Sequence, residues 1–276
     1  MSTFRYKGKE VFYTVDGEAD KPTLIILNGI MMSHKSWEAF VPSFTRLFRV
    51  VRFDMLDQGL SSKLEGETYT QALQVDVLRA LLDHLELEKA HLVGISYGGS
   101  VALQFAIQHP ARVARMVLFN AAAYTTPWLR DVGRGWNRVA GSRDGEAYYH
   151  VTIPYIYSHG FYSRENDWME ARKEKLLPIF KDEGFQDAMI RLTNSAESHD
   201  VRGRMDAIEA PTLVVAAEDD LLTPPREQQT LLEGIPNAEL MTFTDCGHAS
   251  MYERPALFTA SVMGFLSDDR NEYQIS

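Results

Sequence analysis

The sequence predicts a doubly wound α/β protein with a mostly parallel sheet, an N-terminal hairpin and an inserted helical lid. Apolar runs of strand length alternate with segments of helical period, which is typical of this class. Several runs are apolar through most of their length, as central parallel strands covered on both faces are. The runs are Thr23–Gly29, Arg49–Asp54, His91–Ser96, Val113–Ala121, Thr212–Ala217 and Glu239–Thr244.

The elements outside these runs follow the same logic. The N-terminal segment FRYKGKEVFYTVDGEADKP alternates around Gly8 and reaches a turn at Asp16-Gly17, which predicts a hairpin. A helix is predicted between the second and third runs, where apolar residues recur at Val75, Leu78, Leu82 and Leu85. Another helix should follow Ser96 and end at His109-Pro110.

One stretch, residues 123–200, has no clear strand and is rich in aromatic residues. A structureless loop of this length is improbable in a compact domain, so we expect a helical cap between two parts of a core, 1–122 and 201–276. Some of its aromatic side chains should form a small core of the cap, and others should line a pocket. Trp128 and Tyr155 are the predicted substrate contacts among them.

Composition and net charge indicate which kinds of molecule the protein does not bind. The 276 residues carry a formal net charge of −10, which argues against nucleic acid or an anionic membrane as the main partner. No apolar run approaches the roughly 18 residues of a membrane span. The single cysteine, Cys246, excludes an intramolecular disulfide and a cysteine-rich metal site. A cytoplasmic protein with a small-molecule substrate and no cofactor or metal is expected; the oligomeric state is left open.

The third run ends in a motif that predicts a nucleophile. Gly94-Ile95-Ser96-Tyr97-Gly98 matches G-x-S-x-G and lies between a predicted strand and a predicted helix. Small residues on both sides of the serine allow strand and helix to approach closely at a sharp turn. We therefore expect Ser96 to be exposed at the carboxyl edge of the sheet as a nucleophile.

A serine hydroxyl needs a base, and the base in turn needs an acid. His248 follows the last apolar run within FTDCGHASMYERP, so it should reach the same edge of the sheet as Ser96. The run before it is followed by Glu218, Asp219 and Asp220. We predict Asp220 as the acid, with Asp219 as the alternative.

A developing oxyanion also needs hydrogen-bond donors. The backbone N–H of Tyr97 is one predicted donor, because it begins the helix after the nucleophile. The loop LNGIMMSHKSW after the first parallel strand should supply the second from Ile30. Met31 and Met32 would then border the acyl pocket.

These linked motifs together resemble the α/β-hydrolase superfamily over nearly the whole chain. FDMLDQGLSS is similar to the family's D-x-x-G-x-G-x-S loop, with Asp57 where a glycine is usual. Glu253 and Pro255 match the G-H-x-x-x-x-E-x-P pattern, where their usual role is structural. The aromatic stretch at 123–200 looks like the family's helical cap.

Two departures from the family pattern refine the resemblance. Asn28-Gly29 replaces the usual His-Gly, as in the enol-lactonases and the enzymes that join hydroxyacyl chains into rhamnolipid precursors. Ile95 stands where carbon–carbon bond hydrolases of meta-cleavage pathways usually carry asparagine, which disfavours that activity.

The resemblance implies a serine hydrolase of the esterase or lactonase type. Ser96 would attack an ester, lactone or thioester of a small or medium apolar substrate and form an acyl-enzyme. Two alternatives use the same residues. In one, an alcohol takes the acyl group and the protein is an acyltransferase. In the other, the protein is a small-molecule receptor that hydrolyses its ligand slowly.

Overall fold

A computed structural model describes residues 2–267 and contains one eight-stranded sheet, with the spatial order β1-β2-β4-β3-β5-β6-β7-β8. The strands are β1 (Ser2–Tyr6), β2 (Lys9–Asp16), β3 (Thr23–Leu27), β4 (Arg49–Phe53), β5 (Ala90–Ile95), β6 (Val113–Phe119), β7 (Thr212–Ala217) and β8 (Ala238–Phe243). Strands β3 to β8 are parallel, and β1 and β2 pair antiparallel at one edge. The predicted sheet and its N-terminal hairpin are confirmed.

Helices cover both faces of this sheet. They are α1 (Val41–Phe44), α2 (Ala72–His84), α3 (Tyr97–Gln108), α4 (Pro127–Gly141), α5 (Gly145–Ile156), α6 (His159–Arg164), α7 (Asn166–Phe180), α8 (Glu183–Ala196), α9 (Pro225–Gly234), α10 (Ser250–Glu253) and α11 (Pro255–Leu266). One hydrophobic core joins the sheet to α2, α3 and the lid, and a second packs Trp37, Phe44 and Phe258 on the opposite face. Within residues 2–267, no helix is long and apolar enough to cross a membrane.

The lid helices, α4 to α8, lie between β6 and β7. Within the described stretch from 124 to 200 the backbone forms an isolated bridge between Tyr124 and Asp200 but no named strand. Four of the five helices begin at a side-chain cap, which satisfies N–H groups of the first helical turn. The capping residues are Thr126, Asp144, Ser158 and Asp182. The division into a core of 1–122 and 201–276 and a cap of 123–200 stays a prediction.

A buried ion pair joins the lid to the core at a position where the sequence departs from the family pattern. Asp57 has φ 71°, a left-handed conformation that explains the usual glycine. Its carboxylate accepts two hydrogen bonds from Arg191 of α8, at 3.0 and 2.6 Å. Tyr69 and the backbone N–H of Leu64 also donate to it. Asp57 therefore adopts a backbone conformation that suits glycine better, but its side chain attaches this loop to the lid.

Breaking this pair from one side is expected to destabilise the protein. The Asp57 side chain is fully buried, so Arg191→Met leaves an uncompensated carboxylate and should lower the free energy of unfolding by about 3–5 kcal/mol. The double variant D57G/R191M should recover most of this loss, because glycine suits the backbone and no charge remains buried. Urea unfolding measures both variants. An Arg191→Met variant within about 0.5 kcal/mol of the wild type would contradict this role.

Candidate active site

Ser96 lies at a strained turn between β5 and α3. Its φ of 51° and ψ of −117° are a combination that costs a non-glycine residue on the order of 1–3 kcal/mol. A Cβ at Gly98 would lie 2.3 Å from the carbonyl oxygen of Leu27, and one at Gly94 would lie 2.7 Å from that of Gly98. The glycines therefore let β5, α3 and β3 approach closely enough to hold the half-buried serine at the sheet's carboxyl edge.

His248 and Asp220 meet at the same edge, after β8 and β7. The Nδ1 atom of His248 donates to Oδ2 of Asp220 at 2.8 Å, and both residues are buried. This bond assigns the remaining ring nitrogen, Nε2, as the one free to accept a proton. Ser96 and His248 both line one cavity.

The surroundings of Asp220 favour its ionised form. Its Oδ1 accepts the N–H groups of Leu222 and Thr223, and its Oδ2 accepts Nδ2 of Asn120 at 2.8 Å. Burial alone would raise the pKa of Asp220. The charge and hydrogen bond of His248, together with the other donors, outweigh burial and lower that pKa below its usual value.

The neighbouring acids are placed differently. Glu218 and Asp219 are exposed, and Glu218 accepts a hydrogen bond from the backbone of Asp245. The structure therefore brings Asp220, and not Asp219, against the histidine.

The two predicted oxyanion donors are the N–H groups of Ile30 and Tyr97, two residues that line the same cavity. Tyr97 is the first residue of α3, so its N–H has no helical carbonyl to bond. Ile30 follows the Asn28-Gly29 turn at the end of β3, and both Ile30 and Tyr97 line the cavity with Ser96. The Tyr97 hydroxyl is turned away toward the lid, 2.8 Å from Oγ of Ser195.

The cavity lies between the strand ends and the lid helices and has a volume of about 190 Å³. Met31 and Met32 line it, as do apolar residues of the lid. The lid contributes, among others, Leu129, Val132, Trp136, Ile153, Ile156 and Phe180. The wall of the cavity is therefore largely apolar.

Trp128 and Tyr155 lie outside the cavity wall, and both are exposed. On α4, Leu129, Val132 and Trp136 follow the three- and four-residue spacing of one helix face and turn inward. Trp128 lies off that face. On the neighbouring segment Ile156 and Tyr157 line the cavity instead of Tyr155. On these two elements the cavity is therefore lined by Trp136 and Tyr157, and not by the predicted Trp128 and Tyr155.

Arg172 of α7 is a cavity residue that the sequence reasoning missed. Its Nε is buried and has no hydrogen-bond partner within residues 2–267, and its guanidinium lies 4.3 Å from the ring centre of Tyr252. Among the described residues no carboxylate forms an ion pair with it. Burial opposes the charge, but charge interactions and side-chain hydrogen bonds with Tyr157 and Tyr252 raise the pKa of Arg172 above its usual value. The cavity thus contains a permanent cation that no carboxylate of the described part of the chain neutralises.

Glu253 connects the histidine loop to the lid. Its carboxylate accepts the N–H of Gly247, next to His248, and both the N–H and the hydroxyl of Ser158, which caps α6. Its structural role in the family pattern is consistent with these contacts.

The fold and this site define a class. A parallel sheet with a serine elbow after β5, histidine and aspartate after later strands, and helices inserted over the strand ends is the architecture of an α/β hydrolase. A family model described as alpha/beta hydrolase fold matches residues 22–255, and the chain belongs to this family.

Individual relatives cover almost the whole chain. The crystal structure of MGS-M2, an alpha/beta hydrolase enzyme from a Medee basin deep-sea metagenome library, has a TM-score of 0.96 and 53% sequence identity, covering 99% of this chain and 100% of that one. The protein named "Putative carbamate hydrolase RutD" of Pseudomonas syringae is 28% identical, covering 90% of this chain and 95% of its own. The 3-oxoadipate enol-lactonase 1 of Acinetobacter baylyi is 28% identical, covering 94% of each.

Proposed function

We propose that the protein is a serine hydrolase that cleaves a small ester, lactone or thioester through an acyl-enzyme. The observation that carries this proposal is the shared cavity of Ser96 and the buried His248–Asp220 pair. A strained serine at a helix start, beside a histidine whose other nitrogen is fixed by a carboxylate, is an arrangement for nucleophilic catalysis. The enol-lactonase among the relatives supports a carboxylic ester bond as the target.

The chemistry follows from the placement of these groups. Oγ of Ser96 attacks the carbonyl carbon while Nε2 of His248 takes its proton. The oxyanion accepts hydrogen bonds from the N–H groups of Ile30 and Tyr97. Collapse of this intermediate breaks the bond to the leaving group, which receives the proton from His248. Asp220 stays ionised throughout and stabilises the imidazolium.

Water completes the cycle. His248 removes a proton from a water molecule, whose oxygen attacks the acyl carbon. The second tetrahedral intermediate releases the carboxylic acid, and Ser96 regains its proton from His248. The lid helices limit how much water reaches the ester, so both steps occur in a partly desolvated cavity.

Arg172 indicates the kind of acyl group. A guanidinium in an apolar cavity binds a carboxylate or a similar anion through charge-assisted hydrogen bonds. The buried Nε of Arg172 has no partner among the residues that the structure describes. The preferred substrate is therefore an ester or lactone whose acyl portion carries an anionic group, with the apolar wall enclosing the carbon chain.

A matched pair of esters tests this substrate class. We expect the wild type to prefer the 4-nitrophenyl hemiester of a dicarboxylic acid over the neutral ester of the same chain length. Arg172→Met should reduce kcat/KM for the anionic ester by about 10–100-fold, the value of a hydrogen bond to a charged group. The neutral ester should be hardly affected.

Arg130 provides a control for this measurement. It also lines the cavity, but it donates to the backbone carbonyl of Glu197. Arg130→Met should leave the preference for the anionic ester intact. Equal loss on both esters in Arg172→Met, or no preference in the wild type, would contradict an anion-binding role.

Reaction type is tested by product analysis. Esters, lactones, thioesters and a carbamate should be incubated with the enzyme and increasing concentrations of competing alcohols. Hydrolysis predicts the free acid as the main product at all alcohol concentrations. Dominant transfer to the alcohol would identify an acyltransferase. Ligand binding without turnover of any member of the panel would identify a receptor.

A further inference from the structure

The turn that carries Ile30 is held by a buried glutamine from a neighbouring loop. We infer that Gln58 positions the oxyanion donor by anchoring the peptide unit between Gly29 and Ile30. This inference rests on the proposed function, because it concerns the oxyanion of that reaction. It also assigns a role to the Asn28-Gly29 departure from the family's His-Gly.

Gln58 follows the left-handed Asp57 and is almost fully buried. Its Nε2 donates to the carbonyl oxygen of Gly29 at 2.9 Å. Its Oε1 accepts Nδ2 of Asn28 at 3.1 Å. The indole N–H of Trp37 donates to Oδ1 of Asn28 at 2.6 Å, and Nδ2 of Asn28 also reaches the carbonyl of Phe53 at 2.9 Å. Both amide side chains are thus bonded at both ends.

Because the peptide unit is planar, fixing the Gly29 carbonyl also fixes the direction of the Ile30 N–H. The carbonyl of Gly29 and the N–H of Ile30 belong to one planar trans unit, so they point in opposite directions. A carbonyl fixed toward buried Gln58 places the N–H of Ile30 on the opposite side, toward the cavity that Ile30 lines. The N–H of Met32 also donates to this carbonyl, at 3.2 Å, from within the same turn. Gln58 is the donor that ties the peptide unit to a neighbouring loop, and without it rotation of the unit would turn the N–H of Ile30 away from the oxyanion.

The anchor contains only neutral groups. Asn28, Gln58 and Trp37 do not titrate in the working range of an enzyme, whereas a histidine at position 28 would. Orientation of the oxyanion donor should therefore be independent of pH, and the pH profile of the reaction should report the other groups of the site.

Gln58→Met tests the inference, since methionine has a similar volume but cannot donate. We expect kcat to fall by about 10–100-fold, less than the 10²–10³ of deleting an oxyanion donor outright, with KM nearly unchanged. The affinity for a trifluoromethyl ketone, which forms an oxyanion on the serine, should fall by a similar factor. A purely structural glutamine would change the melting temperature without this selective loss.

Gln228→Met is the matched control. Gln228 is also fully buried and donates Nε2 to a backbone carbonyl, that of Ala121, whose peptide carries neither oxyanion donor. It should lose stability while keeping kcat and the ketone affinity. If Gln58→Met keeps the wild-type kcat while turnover still depends on Ser96, the role of Gln58 in orienting the Ile30 N–H is wrong and the proposed function stands. Turnover that survives Ser96→Ala overturns both the proposed function and the anchor.

Discussion

Replacing Ser96 by alanine is expected to lower kcat by about 10⁶-fold, the loss that follows removal of the nucleophile in a serine protease. The reason is that the proposed reaction passes through a covalent bond to Oγ, and no other described side chain in the cavity combines a hydroxyl with the elbow geometry. Steady-state hydrolysis of the best ester in the panel, with a stopped assay for the variant, measures the effect. Loss of only tenfold would remove Ser96 from the mechanism.

Stability measurements separate chemistry from folding. Alanine keeps the Cβ at φ 51° and ψ −117°, so Ser96→Ala should unfold at nearly the wild-type temperature. Ser96→Gly releases the strain of this conformation and should raise the free energy of unfolding by roughly 1 kcal/mol. Both variants should be equally inactive. A strongly destabilised Ser96→Ala would show that the activity loss is not specific to the nucleophile.

Replacing Asp220 by asparagine is expected to lower kcat by about 10⁴-fold, as loss of the acid does in serine proteases. The amide still fills the pocket formed by Leu222, Thr223 and Asn120, but it no longer carries the charge that stabilises the imidazolium. It also favours the wrong tautomer of His248. Burst and steady-state kinetics with one ester measure the effect.

Asp219→Asn is the control for this variant. Asp219 is exposed and adjacent in sequence, so its substitution should leave kcat within about threefold, as surface changes generally do. A large loss in Asp219→Asn with a small loss in Asp220→Asn would reverse the assignment. Because the pKa of Asp220 is lowered, its carboxylate should remain charged across the whole working pH range, and the acid limb of the rate profile should not arise from it.

The sequence predicts the sheet well because its signals are local. Several of the runs that became β3 to β8 are apolar through most of their length, and the glycines around Ser96 indicate the sharp turn that follows β5. Position after a strand is enough to bring Ser96, Asp220 and His248 to one edge, since the carboxyl ends of parallel strands share that edge.

The sequence pattern does not decide which of two adjacent residues takes a given role in the site. Asp219 and Asp220 differ by one residue in a turn, and only the backbone path decides which side chain is buried. Trp128 lies outside the cavity for a different reason. Leu129, Val132 and Trp136 share the inward face of α4, and Trp128 lies off it, but the bounds of this helix were not predicted from the sequence, so its spacing was not used.

Side-chain contacts between residues far apart in the sequence were not predicted. Asp57 and Arg191 are 134 residues apart, and Gln58 meets Gly29 across 29 residues. Arg172 lies among the many charged residues of α7, so nothing in the pattern distinguishes it from a surface arginine. Only the packing of lid on core places it in the cavity.

The proposed reaction depends on an acyl-enzyme at Ser96, and this intermediate can be trapped. The protein should be mixed with a slowly deacylated ester, quenched in acid during the burst, and analysed by intact mass spectrometry and peptide mapping. We expect one acyl group per chain, attached to Ser96 and absent from Ser96→Ala. Turnover with no adduct at any quench time, or an adduct on another residue that persists in Ser96→Ala, would contradict it.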